Sequence, residues 1–265
     1  MLRISNRPVA AALVLVLVSP LAACATGGKK TRADTQYVAR DVNTLYSLAK
    51  KRLDQRRYAE AALIFDEVER QHPYSIWARR AQLMSAFSYY AAKDYTKSTE
   101  SARRFLAIHP GNRDAPYAHY LIALNYYEQI EDVARDQSIT RQALDSLNEL
   151  VRRYPNTRYA SDARLKVDLV RDHLAGKEME VGRFYQRRGQ WLASVQRFRQ
   201  VIDEYQTTSH TPEALMRLTE SYLALGIPEQ ARASAAVLGA NYPNTKWYER
   251  AYSLVQKNAP ATPAA

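Results

Sequence analysis

The sequence predicts an all-α fold, a solenoid of about five helix-turn-helix repeats. Three observations carry this expectation. Four related stretches recur, each closing an apolar-periodic segment: His72-Pro73-Tyr74-Ser75, His109-Pro110-Gly111-Asn112, Tyr154-Pro155-Asn156-Thr157 and Tyr242-Pro243-Asn244-Thr245. A proline pushes the residue before it out of the helical region, so each stretch stops a helix. Counting back from each proline returns the same order of small residue, aromatic, turn and second small residue, and self-similarity at fixed period marks a repeat architecture. Finally, 8 glycines in 265 residues are few, and no alternating Val/Ile/Thr run occurs outside the N-terminus. Hydrophobic content of 46% with 25% charged residues suits a chain that buries a core.

The first residues stand apart from this pattern. Arg3 and Arg7 precede an unbroken apolar run of ten residues, Val9 to Val18, and Leu21-Ala22-Ala23 places small residues before Cys24. A bilayer-crossing helix needs roughly 20 apolar residues, so the run predicts a cleaved secretory signal over residues 1–23. Leu21-Ala22-Ala23-Cys24 resembles the lipobox of bacterial lipoproteins. That resemblance implies cleavage before Cys24, a diacylglycerol thioether on its sulfur and an acyl chain on its amino group. The competing reading is a chance cysteine beside an ordinary cleavage site. Cys24 is the sole cysteine, which excludes a disulfide within the chain. Several acyl chains hold firmly where one is marginal, each buried CH₂ contributing about 0.8 kcal/mol. Ala25 follows, where lipoproteins retained at the inner membrane generally carry Asp, so the resemblance implies an outer-membrane address facing the periplasm. Beyond this covalent lipid no cofactor is expected. Residues 24–36 read as a lipid-anchored flexible tether whose Lys29, Lys30 and Arg32 keep it solvated. Loss of Arg3 and Arg7 takes the formal charge from +11 to +9.

The solenoid is expected over 37–257, with an N-terminal half to about 157 and a C-terminal half from about 158. Repeat one pairs helices near 35–55 and 58–72, through Leu45, Leu48, Ala49 and Leu53, then Tyr58, Ala61, Phe65 and Val68. Its order, Ala49, Tyr58, Ala61, Phe65, Pro73, resembles the tetratricopeptide pattern, which implies a right-handed stack of helix pairs. Repeat two lies 37 residues on, with Ala86, Tyr89, Tyr95, Ser98, Phe105 and Pro110. Its Lys93-Asp94-Tyr95 turn stands where the pattern usually has a glycine. Repeat three carries Ala123, Tyr126, Ala143, Leu147, Leu150 and Pro155, with an insertion around 131–138 that a solenoid places on one face. A further helix near 158–175 precedes repeat four, which matches through Gly182, Tyr185, Gly189, Trp191, Ser194, Phe198 and Val201 but has Gln206 for the closing proline. Repeat five has Leu215, Leu218, Thr219, Tyr222, Gly226, Ala231 and Pro243. A last helix near 245–257 can cap the stack, and 258–265 is a Pro/Ala tail with no ordered structure expected.

Catalytic signatures are absent. His72, His109, His119, His173 and His210 form no zinc-type spacing, and there is no Gly-x-Ser-x-Gly, P-loop or dinucleotide glycine turn. Asp66-Glu67 and Asp203-Glu204 are adjacent and splay on a helix. No enzyme is expected. A pI of 9.7 would suggest nucleic acid. The arginines are spread along the chain, however, and a periplasmic address removes that partner. Arg56-Arg57, Arg152-Arg153 and Arg187-Arg188 sit in helix C-terminal turns, where cations are stabilised by roughly 0.3–1 kcal/mol.

In tetratricopeptide arrays the first helix of each repeat lines the inner face. Projecting that stripe selects Asn43, Tyr46 and Lys50, then Arg80, Leu83, Phe87 and Tyr90, then Tyr117, Tyr120, Leu124 and Tyr127. Repeats four and five contribute Met179, Arg183, Gln186, Glu213, Met216, Glu220 and Leu223. The aromatic N-terminal half with Lys50 and Arg80 suits an extended peptide bearing aromatic side chains and a carboxylate. The same tyrosines could instead pack between helices. The lipobox, the repeats, Tyr154-Pro155-Asn156-Thr157 and the Arg188-Gly189-Gln190-Trp191 turn with Arg197 resemble the BamD/ComL family of outer-membrane assembly lipoproteins. The resemblance implies a subunit of the β-barrel assembly machine, with BamA and other subunits and unfolded outer-membrane β-barrel proteins as partners. It further implies docking on BamA through Arg197, Trp191 and Arg188. The alternative is a periplasmic repeat adaptor coordinating cell-wall synthesis with the envelope.

Overall fold

The structure, a computed structural model, describes residues 40–258. The expected signal, Cys24, the tether and tail residues 259–265 lie outside the described residues. Eleven helices occur among the described residues: α1 (Val42–Asp54), α2 (Tyr58–Gln71), α3 (Ile76–Ala91), α4 (Tyr95–Ile108), α5 (Ala115–Tyr127), α6 (Ser138–Arg153), α7 (Arg158–Arg187), α8 (Trp191–Glu204), α9 (Thr211–Ala224), α10 (Pro228–Asn241) and α11 (Lys246–Asn258). They belong to the compact unit that begins at Asp41. Each helix packs on the next in chain order, and first helices of successive repeats also meet: α1 with α3, α3 with α5, α5 with α7, α9 with α11. The second helices make no comparable contacts. This is a tetratricopeptide-like helical solenoid.

The core is a chain of five small clusters, each drawing on three consecutive helices. In the first, Leu45 and Ala49 of α1 meet Phe65 and Val68 of α2 and Ala81 of α3. Ala86, Phe105 and Leu121 follow, then Ala123, Leu147 and Val170, Met179, Phe198 and Leu218, and Met216, Leu238 and Ala251. Small residues stand where helices approach closely. A Cβ on Gly182 would come 2.5 Å from the Phe198 ring, which is why the fourth repeat carries glycine there.

Both kinds of turn have a repeated construction. Between first and second helices, Arg56, Lys93, Gly189 and Gly226 all adopt positive φ, at 59°, 63°, 71° and 72°. Lys93 therefore occupies a glycine-type conformation, at a cost that a Cβ makes unavoidable. Between repeats, His72, His109, Tyr154 and Tyr242 leave their helices at φ between −130° and −138°. Tyr205 does likewise at −127° before Gln206, so the missing proline does not lengthen α8. The threonine of the recurring stretch explains its presence. Thr157 donates its hydroxyl to the Tyr154 carbonyl at 2.9 Å and accepts from the Ala160 amide at 3.2 Å. One side chain thus closes one helix and opens the next. Thr245 repeats this with Tyr242 and Tyr248, and Thr208 donates to Tyr205.

Three features differ from expectation. The first helix starts at Val42 and not near 35, because Asp41 caps it by accepting from the Thr44 amide. The helix near 158–175 and the first helix of repeat four are one helix, α7, of 30 residues, about 45 Å at 1.5 Å per residue. No proline interrupts it, and Gly176 within it lets His210 approach closely, since a Cβ there would lie 3.2 Å from His210 Nε2. The insertion rests on the middle of this helix, where Lys177 donates to the Ala134 carbonyl at 3.0 Å. It braces α7. At the far end α11 runs to Asn258, one residue past the expected cap.

Replacing Lys93 by glycine is expected to stabilise the fold by about 0.5–1 kcal/mol, and Gly189→Ala to destabilise it by a similar amount. Thr157→Val should cost about 1 kcal/mol through the lost cap. Urea midpoints at constant m-value check all three.

Candidate functional site

Two contiguous clefts open on the first helices of repeats one and two, of about 870 and 860 Å³. They share Tyr46, Arg80 and Met84. The floor is aromatic: the Tyr46 ring lies 4.6 Å from Trp77 and 5.4 Å, edge-on, from Phe65. Arg80 sits 5.5 Å over Trp77, a cation–π contact that leaves the guanidinium edge accessible. Lys50 and Lys51 border one cleft, Arg79 and Arg113 the other. Among the described residues Lys50, Arg79 and Arg80 form no ion pair, so this wall keeps its positive charge for a ligand.

Of the tyrosine stripe, Tyr46, Lys50 and Arg80 come together in one cleft. Phe87 and Tyr90 half-bury against the second core cluster instead. Tyr90 also donates to Glu128 at 3.3 Å. Tyr117 and Tyr120 stack on Tyr159 of α7, at 5.5 and 5.2 Å, and the Tyr120 hydroxyl donates to Asp162 at 2.7 Å. Lys166 lies 5.3 Å over the Tyr127 ring. These tyrosines join α5 to α7 while keeping part of each ring at the surface. Burial pushes the Tyr90 and Tyr117 phenols up to about 12. Tyr120 is raised too, by burial and by its bond to Asp162. Met179 and Met216, expected on the inner face, are wholly buried, and Leu124 is 8% exposed. The helical phase of those residues is set by packing against α6, α8 and α10, which the stripe did not encode. Sequence reasoning missed Arg79, Trp77 and Arg113; the Arg79-Arg80 doublet was the available signal.

The C-terminal half is organised differently. Arg217 pairs with Glu213 at 3.3 Å and Glu220 at 3.2 Å, Arg183 with Glu213 at 3.3 Å, and Arg250 with Glu220 at 2.5 Å. Its charges therefore satisfy one another. Trp191 opens α8 and lines a smaller cleft of about 490 Å³ with Arg187, Arg217, Leu223 and Leu254. Arg188 and Arg197 do not line it. Arg188 covers the Phe184 ring at 4.3 Å. Arg197 donates to Glu178 at 2.9 Å, its side chain 41% exposed against 14% for the carboxylate. That pair fixes the guanidinium to α7 and leaves its outer donors available. Among the described residues no group of three or more His, Cys, Asp or Glu side chains is placed to hold a metal. None of the described helices is long and apolar enough to cross a membrane.

The family described as YfiO, outer membrane lipoprotein, matches residues 38–238. The chain belongs to this family. An outer membrane protein assembly factor BamD of Caulobacter vibrioides is 49% identical over 259 residues, covering 97% of this chain and 84% of that protein. The BamD of Rickettsia prowazekii is 45% identical, covering 87% and 92%. That of Neisseria meningitidis serogroup A is 32% identical, covering 91% and 94%. Among solved structures, a tetratricopeptide protein of Thermus thermophilus matches at TM-score 0.37 and 20% identity, over 81% of this chain and 99% of that one. So low a score adds nothing to the fold read directly from the helices. Family membership places the chain among the outer-membrane protein assembly factors.

The raised phenols make a pH prediction. The folded chain keeps Tyr90 and Tyr117 protonated up to about 12, while an unfolded tyrosine ionises near 10. Between those values the native state binds more protons, so stability falls as pH rises above 10. Denaturant midpoints at pH 8 and pH 11 should show this loss, and Tyr117→Phe should reduce it.

Proposed function

We propose that this member of the family binds the targeting segment of unfolded outer-membrane β-barrel proteins in the cleft between α1, α3 and the α4–α5 turn, and docks on BamA through its C-terminal repeats. The observation that carries the first half is the charge division. Among the described residues Lys50, Arg79 and Arg80 form no ion pair beside Tyr46 and Trp77, whereas the C-terminal arginines Arg183, Arg217 and Arg250 are neutralised by Glu213 and Glu220. An extended segment with an aromatic side chain and a carboxylate gains apolar burial on the rings and charge-assisted hydrogen bonds from the cations. Phe87 and Tyr90 farther along α3, and Tyr117, Tyr120 and Tyr127 on α5, continue the aromatic wall.

For docking, Arg197 is the bearing residue. Glu178 orients it, and Trp191 and Arg188 flank the same helix start. On this reading Cys24 carries the lipid that tethers the chain to the periplasmic side of the outer membrane. The chain works there with BamA and other subunits of the assembly machine, without a catalytic step of its own.

A peptide ending in an aromatic residue with its carboxylate intact is expected to bind, and Arg80→Ala or Tyr46→Ala to weaken it about tenfold or more. Amidating that carboxylate should match the loss from Arg80→Ala. Equal affinities for wild type and both variants in a fluorescence titration would refute the cleft. Arg197→Ala should weaken capture of BamA by a similar factor, Arg199→Ala much less. The Arg197→Ala melting temperature separates lost docking from a loosened α7–α8 contact. Recovery of cell-wall synthesis enzymes in place of BamA would sink the docking assignment.

A further inference from the structure

We infer that the inter-repeat edge of repeats one and two is a membrane-contact surface that rests on the phospholipid headgroup layer. Because neighbouring helices alternate in direction, the start of α1, the α2–α3 turn and the α4–α5 turn all lie on one edge of the solenoid. That edge exposes three large apolar side chains: Tyr74 at 101%, Ile76 at 67% and Ile108 at 59%. The opposite edge of the same two repeats carries Arg56, Arg57 and Lys93 and no exposed large apolar residue. Single exposed apolar residues are ordinary; three confined to one edge beside the chain's entry point are not.

The surroundings favour lipid as the occupant. Arg79, Arg80 and Arg113 border the patch; of the acids near this edge, Glu67 pairs with Arg70 and Glu69 lies 3.7 Å from Arg104. Asp41 is engaged in capping α1 through the Thr44 amide, and Asp114 lies 3.8 Å from Arg113. The balance is cationic, matching anionic headgroups. Tyrosine is favoured at membrane–water interfaces, where its ring is half-buried and its hydroxyl stays wet. Three side chains are too small a patch for a stable protein interface, which needs on the order of 1,000 Å². They suffice for a weak surface contact that a nearby anchor reinforces. The sequence supplies that proximity: Cys24 stands 17 residues before Asp41, the N-cap of α1 on this edge.

The test uses the chain from residue 25 onward, which retains every core cluster and so folds without the lipid site. Its flotation is measured with phosphatidylethanolamine vesicles containing one-fifth phosphatidylglycerol, at low salt. The wild type is expected to partition to the vesicles, with added salt reducing the effect. Tyr74→Asp/Ile76→Asp/Ile108→Asp should lower the partition coefficient about tenfold or more, and Tyr74→Ser alone about two- to threefold. The control Leu63→Asp/Leu165→Asp/Leu192→Asp, exposed positions off the edge, should float like wild type. The inference is overturned if the wild type stays in solution, if the edge variant floats as well as wild type, or if the control loses as much. Circular dichroism of each variant confirms the helical fold, and none of these outcomes bears on peptide binding by the cleft.

Discussion

No helix pair in this chain can close its own core, and everything else follows from that. Phe65 and Val68 bury one side against α1 and need Ala81 of α3 on the other; Phe198 stands in the same relation to α7 and α9. Burial of each apolar side chain contributes about 1.5–3 kcal/mol. No cluster reaches across the array, so stability accumulates from nearest neighbours. The ends are the weak points. α11 answers this at the C-terminal end, covering Met216 and Leu238 with Ala251 and packing Trp247 and Tyr248 beside them.

Stacking at fixed spacing requires the chain to reverse direction in a reproducible way, and two side-chain solutions achieve it. The tight turn within a repeat takes one left-handed residue. The junction between repeats takes a threonine or serine at the next helix start: Thr157 holds the departing carbonyl and the arriving amide together, and Ser75 accepts the arriving amide of Ala78. Repeat three abandons the tight turn for the 130–137 loop. That loop is held against α7, together with the Ser209 connection, whose amide and hydroxyl both reach Asp172. The longest helix is therefore supported at its middle, where Val133 of the loop and His210 of the connection converge on Gly176. This joins the N-terminal repeats to the C-terminal ones through continuous helix, without a hinge.

Holding the first helices side by side is also what creates two unlike surfaces. In repeats one and two the aromatic rings of Tyr46 and Trp77 share their surroundings with Lys50, Arg79 and Arg80, which form no ion pair among the described residues. In repeats four and five Gln186, Arg217, Glu220 and Ser221 form a connected polar network in which donors meet acceptors. A network already satisfied internally offers little to a charged ligand and more to a surface that fits its shape. The difference in function between the two halves is an electrostatic one, built on the same helical scaffold.

The periodic signals were legible without coordinates. Phe65, Phe105, Leu147 and Phe198 were identifiable as core, Gly189 and Gly226 as turns, and the Tyr-Pro-Asn-Thr stretches as boundaries, because helical spacing and local backbone sterics act over a few residues. Lys93 could be located at a turn, but its left-handed backbone emerged only from the folded chain. Tertiary packing alone decided the rest. It fused 158–187 into one helix, turned Met179 and Met216 inward, and assigned Tyr117 and Tyr120 to the seam with Tyr159. It also brought Arg79 and Arg113, 34 residues apart, to one cleft. A helix's rotation about its axis depends on which neighbours share its buried face, and that is a property of the whole stack, which no local stretch of sequence contains.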